Sequence, residues 1–472
     1  MEKSYSDPER YFSCEPGIRK IAMELYEGIR HLGIISPHSH VDPALFSSPE
    51  RRFGNPAELF IIPDHYVFRM LYSQGIPLEA LGVATLKGEV TAEPREVWQT
   101  FCAHYYLFAG TPTSLWIQDE LAAVFGINEQ PCAENAGRLY DRISEALASA
   151  EYSPRALFDR FKIEVLCTTD SATDALSAHQ SLKQGPWQRR ILPTFRPDTL
   201  FKLPSPGWKN ALAKLGSLYG KEISSYKVFL EAIEERRAFF KAMGAKACDH
   251  GVLNPFTENI STEAMEKIFQ RALAGTASNE DYANFSAQML MEMARMSCED
   301  GLVMQLHAGS LRNHNQALYE RFGADMGADI PVSAEFTRNL RPLLQRYGST
   351  AGFRLVLFTL DESAYSRELA PLAGHYPAVK LGPPWWFLDS PKGMERYLDA
   401  TVETAGFYNL AGFNDDTRGF CSIPARHDLW RRISCNWLAK QVSRQFLGLS
   451  SAKEIARELA YGLALQTYGL SS

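Results

Sequence analysis

HLGIISPHSH, residues 31–40, runs from a short apolar stretch straight into two histidines one residue apart. Gly33-Ile34-Ile35 reads as the end of a buried strand, with His38 and His40 just beyond it. Seven further runs share this form: IEVLCTT (163–169), RRILPTF (189–195), AKACDHG (245–251), LVMQLHAG (302–309), FRLVLFT (353–359), AVKLGPP (378–384) and YNLAGFND (408–415). Each is apolar without alternation and stops at a polar or glycine-containing turn, the pattern of parallel strands covered on both faces. Helix-period segments lie between them. Strand–helix alternation taken eight times predicts an α/β fold, a (β/α)8 barrel of the TIM type.

The spacing is uneven. Residues 37–162 separate the first run from the second, far more than a single crossover helix requires. That interval holds helix-like pieces such as PREVWQTFCAHYYLFAG (94–110) and ENAGRLYDRISEALASA (134–150). The expected organisation is an N-terminal segment with strand 1 (1–42), a mostly helical insertion (43–160), and the rest of the barrel with C-terminal helices (161–472). A smaller helical excess lies at 200–244, where Phe229, Ile233 and Phe240 share one face. Ser451-x-x-Glu454 reads as a capping box opening a last helix that carries Ile455, Leu459 and Leu463. No internal repeat or low-complexity linker divides the chain.

With 472 residues, 45% hydrophobic and 22% charged, the composition is that of a soluble globular protein. A net charge of −6 argues against a nucleic-acid binder but permits a local positive site for a small anion. Nothing near the N-terminus resembles a signal peptide, and residues 101–118, though free of Asp, Glu, Lys and Arg, are interrupted by His104, Gly110 and Pro112. No membrane span is expected. Eight scattered cysteines without a CxxC fit free thiols in a cytoplasmic protein.

In such a barrel the chemistry gathers at the C-terminal ends of the strands. His38 and His40 are at positions i and i+2 and point to the same side, so both imidazoles can converge on one divalent ion. Alone, HxH is a weak signal. His307 ends the fifth run, and Asp416 follows the eighth, where an acid would ordinarily be read as a helix N-cap. Three imidazoles and a carboxylate from three strand ends form a metal set with open positions. The fourth run ends Cys248-Asp249-His250, with Lys246 two residues short of that end, and the sixth ends Phe358-Thr359-Leu360-Asp361 without histidine. The expectation is therefore one metal ion, with Zn²⁺ the first choice.

HSH (38–40), DHYVFR (64–69), CTTD (167–170), LPTFRPD (192–198), CDHG (248–251), VMQLHAGSLRNHN (303–315), PPWWF (383–387) and DTRGF with RHDLWRRI (416–433) occur in one order along the chain. In this the sequence resembles the uronate (glucuronate) isomerases of the amidohydrolase superfamily, over about residues 20–440. The resemblance implies a metal-dependent aldose–ketose isomerase interconverting D-glucuronate with D-fructuronate, and D-galacturonate with D-tagaturonate. It departs from the family pattern in the proline before HSH, the proline pair before WWF and the tail YGLALQTYGL.

The implied chemistry has three needs: a grip on the carboxylate, a polariser for oxygen, and an acid/base pair. Arg69, Arg196, Arg312 and Arg418 are candidates for the first, with Arg196 able to pair instead with Asp198. His38, His40, His307 and Asp416 are candidates for holding the metal, with His307 alternatively touching substrate. His65 and Tyr66, with Asp416, are candidate proton carriers. Trp385 and Trp386 would wall the sugar pocket, and Asp249 and His250 would orient other groups. The partner is a small hexuronate; a homo-oligomer is compatible with this reading. The alternative is a mononuclear hydrolase of the same superfamily, in which the metal activates water.

Overall fold

The computed structural model describes residues 7–183, 185, 187–203 and 207–470. Its strands are β1 (Ile34–Ser36), β2 (Ile163–Cys167), β3 (Asp170–Ser171), β4 (Ile191–Leu192), β5 (Phe195–Arg196), β6 (Ala247–Val252), β7 (Val303–Ala308), β8 (Ser310–Leu311), β9 (Ile330–Pro331), β10 (Leu355–Thr359) and β11 (Val379–Leu381). Apart from the antiparallel hairpin β8–β9, every pairing is parallel. β1 pairs β2 and β2 pairs β4, while β3, β5, β6, β7, β10 and β11 follow one another in a second sheet. The fold is thus mixed α/β, and the runs pair in chain order.

The third run is split in two, and just beyond the second run a separate short strand, β3, joins the other sheet. Pro193 stands between β4 and β5 and has no N–H to give the ladder. Around it, Thr168 N–H donates to Leu192 O (2.8 Å) and Asp170 N–H to Thr194 O (3.1 Å), which keeps the segments in register. The eighth run forms no strand among the described residues. It is reduced to a bridge between Leu410 and Leu381, because a 3₁₀ turn at Phe407–Asn409 takes up its first two residues. Gly412, at φ +86, then packs so tightly on Ala464 that an added Cβ would lie 2.5 Å from its nitrogen.

Two apolar cores flank the sheets. One includes Phe229, Ile233 and Phe240, all fully buried as their shared face required, and Leu306, Leu357 and Leu381 from the strands. The other joins Ile34, Ile163 and Ile191 to residues of the 43–160 interval such as Phe60, Trp98, Phe101 and Leu139. That interval is helical, with helices including Pro94–Ala103, Pro112–Phe125 and Ala136–Ala148. No described helix is long and apolar enough to cross a membrane. The capping box at Ser451 is not formed. The helix starts earlier, at Leu449, because Gly448 in extended geometry already makes the turn, and Ser451 lies inside the first turn without a capping bond.

Candidate active site

The ends of β1, β6 and β7 and the segment 414–418 meet in one place. Backbone bonds tie that segment to the first histidines: His40 N–H donates to Thr417 O (2.9 Å) and Asp416 N–H to His38 O (3.3 Å). His38 Nε2 and His40 Nε2 stand 3.2 and 3.1 Å from Asp416 Oδ1. On β7, His307 brings its ring to 4.8 Å from that of His38 and stacks on Phe358, its cross-strand neighbour on β10, at 4.1 Å. Asp249, inward on β6, accepts from His307 Nδ1 at 2.7 Å. Asp249 thus orients His307, as a ligand-supporting carboxylate does. His250, the next residue, faces the other way and contacts Cys248 Sγ (3.3 Å) and the ring of Phe201.

The donor atoms fit a cation. Asp416 Oδ1 accepts no well-directed hydrogen bond, His307 Nε2 is buried without a partner, and Asp249 Oδ2, also buried, has only the charge of Arg196 at 3.3 Å. Burial works against the Asp416 carboxylate, yet His38 and His40 hold its pKa well below the usual carboxylate range. Burial depresses His38 too, but Asp249 and then Asp416 outweigh this and raise its pKa. Two carboxylates aimed at one enclosed imidazole ask for positive charge between them. His40, pushed down to about 4 chiefly by burial, is a neutral imidazole at neutral pH, and burial lowers His307 as well. Neutral imidazoles with a carboxylate are a donor set suited to zinc.

Beside this cluster lies a cavity of about 400 Å³ whose lining includes His40, His65, Tyr66, Arg196, Arg312, Trp385, Trp386, Asp416 and Arg418. Asp64 caps the helix His65–Tyr72 and so fixes His65 and Tyr66 at its first turn. His65 packs on Trp386 at 4.9 Å, and its Nδ1 is buried without a partner. Burial, then the charge of Arg418, lowers its pKa to about 3. Burial, then Asp389, pushes the Tyr66 hydroxyl well above its ordinary value, so it keeps its proton.

The arginines differ in their surroundings. Arg196 joins Asp198 (2.9 Å), as its spacing suggested, and also Asp249 (3.3 Å). Arg312 joins Asp329 (2.7 Å), and Arg418 joins Asp325 (2.8 Å). Arg69 is outside the cavity lining and lies over the Phe387 ring at 4.8 Å.

Asp325 and Asp329 were not legible in sequence, since no apolar run precedes them. Asn313, also in the lining, lies within the RNHN stretch, which could have signalled it. Asn313, Asp325, Trp386 and Asp416 all carry positive φ, from 44° to 65°. Such backbone is costly outside glycine and concentrates at functional sites.

A glucuronate isomerase family model matches residues 17–468. A uronate isomerase of Nostoc punctiforme is 55% identical over 469 residues, covering 99% of both chains. The crystal structure of a glucuronate isomerase from Caulobacter crescentus superposes with a TM-score of 0.97 at 44% identity, over 100% of this chain and 98% of that one. A uronate isomerase structure from Thermotoga maritima gives 0.90 at 27% identity, over 98% and 99% of the two chains.

Proposed function

The chain belongs to the glucuronate isomerase family, and on that premise we propose how its own residues carry out the reaction. It interconverts D-glucuronate and D-fructuronate, an aldose and its 2-keto isomer. The observation carrying the residue assignment is that His38 is shared by two groups able to hold a cation, one with His40 and Asp416 and one with Asp249 and His307, beside a cavity lined by Arg196, Arg312 and Arg418. Backbone bonds between residues 38–40 and 416–417 support reading the parallel succession as a closed (β/α)8 barrel with residues 43–160 inserted after strand 1. Eight free cysteines suit a cytoplasmic enzyme.

His38, His40, Asp416 and His307 would hold one divalent ion, zinc by donor type. When bound, that ion supplies Lewis-acid polarisation of a substrate oxygen. Arg312 and Arg418 bind the hexuronate carboxylate, and Arg196, held by Asp198 and Asp249, adds positive field from the same lining. Trp385 and Trp386 close the apolar side of the sugar. Tyr66, kept protonated by burial, gives its proton to O1 as charge builds there and regains one from the O2 hydroxyl as C2 becomes the ketone. His65, neutral, and Asp416, through its second oxygen, receive the proton that leaves C2 and return it at C1. D-Galacturonate differs from D-glucuronate only in the configuration of one hydroxyl, and we extend the reading to it.

Purified protein incubated with D-glucuronate and with D-galacturonate should form ketose from each. Dialysis against a chelator should stop this, and added Zn²⁺ should restore it. Lactone or amide hydrolysis without ketose would overturn the reading in favour of the hydrolase. Arg418→Met should raise KM for D-glucuronate about 10- to 100-fold, the worth of a hydrogen-bonded charge pair. Steady-state kinetics with an unchanged KM would remove Arg418 from the carboxylate grip.

A further inference from the structure

Arg312 and Arg418 are each already paired with a carboxylate, and the two carboxylates are not equivalent. Asp329 is 1% exposed, accepts from Arg312 Nη1 at 2.7 Å, and takes the backbone N–H of Asn313 at 2.8 Å. It stands behind the cavity lining as a fixed support for Arg312 and Asn313. Asp325 is 40% exposed, accepts from Arg418 Nη2 at 2.8 Å, and comes only to 3.9 Å from Arg312. It lines the cavity and carries its charge on a residue at φ +65.

The segment bearing Asp325 is anchored on both sides of it. Upstream, Leu86 N–H donates to Arg321 O at 2.9 Å, and the Arg321 guanidinium pairs with Glu79. Downstream, Gly327 lies so close to the helix His65–Tyr72 that an added Cβ would be 2.5 Å from Arg69 Cβ. Asp325 is thus held at the mouth of the cavity by its neighbours, while its own side chain is tied by ion pairing.

We propose that Asp325 is a displaceable internal counter-ion that competes with the substrate's carboxylate for Arg418 and Arg312, and so sets how tightly hexuronates bind. This rests on the carboxylate grip described above. Two carboxylates at one guanidinium edge repel strongly in a partly enclosed site. A hexuronate must therefore push the Asp325 side chain aside, and part of its binding energy is consumed in doing so. The guanidinium groups stay ordered in the meantime. Neutral sugars, with nothing to exchange for the ion pair, gain no entry from it.

Asp325→Asn isolates the charge. Asn is close in shape and tolerates left-handed backbone better than other residues, so the loop is preserved. The variant should bind D-gluconate, a non-isomerisable sugar acid, about three- to tenfold more tightly by calorimetry. KM for D-glucuronate should fall in parallel while kcat does not rise. The gain should disappear when Asp325→Asn is made in an Arg418→Met background, which a purely structural role would not produce. Unchanged or weaker D-gluconate binding by Asp325→Asn, with wild-type turnover intact, overturns this proposal alone. Failure of the wild-type protein to isomerise D-glucuronate or to bind D-gluconate overturns the carboxylate grip and this proposal together. Should the variant not fold, Asp325→Ser carries the same expectation with a shorter side chain.

Discussion

Asp416→Asn is expected to reduce ketose formation by on the order of 10³-fold or more, because in the proposed assignment one residue serves two needs. Its Oδ1 lies 3.2 Å from His38 Nε2 and 3.1 Å from His40 Nε2, so it completes the donor cluster. The amide keeps the shape but loses the negative charge that draws the two imidazoles together. It also cannot receive a proton at neutral pH. Metal content after dialysis, measured by atomic absorption, should fall alongside activity. His38→Asn should lose metal in the same way, since His38 belongs both to the group with His40 and Asp416 and to the group with Asp249 and His307. An Asp416→Asn protein that still makes ketose at the wild-type rate would take Asp416 out of the cluster and the proton path alike.

Asp249→Asn is the second large effect. The carboxylate is completely enclosed, accepts from His307 Nδ1 at 2.7 Å, and lies 3.3 Å from Arg196 Nη1. Burial opposes its charge, but His307, Arg196 and His38 hold its pKa well below the usual carboxylate range. The amide retains a hydrogen-bond acceptor for His307 but supplies no negative charge, so on the proposed ligand role the imidazole would bind a metal more weakly. Loss of such a supporting carboxylate costs about 10- to 100-fold in metal affinity. Metal titration of the variant followed by activity at saturating metal separates this from direct catalysis. Weaker metal binding with turnover largely recovered at saturation is the expected result. Wild-type metal affinity in Asp249→Asn would show that His307 is held without help.

Much of the site is legible because strand ends announce themselves. An apolar run followed by His38-Ser39-His40, or by His307, carries its own position, and parallel pairing then brings distant ends together. The split of the third run was written in Pro193, a residue that cannot donate to a ladder. The eighth run misled, since YNLAGFND is apolar enough for a strand while its turn at Phe407–Asn409 depends on the preceding helix end. Arg69 was drawn in by the company of His65 and Tyr66. Four residues along a helix, its guanidinium is taken up by Phe387 instead. Asp325 and Asp329 lie on a segment whose path is fixed by contacts of Arg321 with Leu86 and of Gly327 with Arg69, and no local pattern encodes that path.

The left-handed backbone at Asn313, Asp325, Trp386 and Asp416 has a cost that reaches beyond catalysis. Each such residue costs roughly 1–3 kcal/mol, and four together rival the net folding free energy of a typical domain. Heat-hardened versions of this enzyme are thus easiest to reach by relaxing the very loops that do its work.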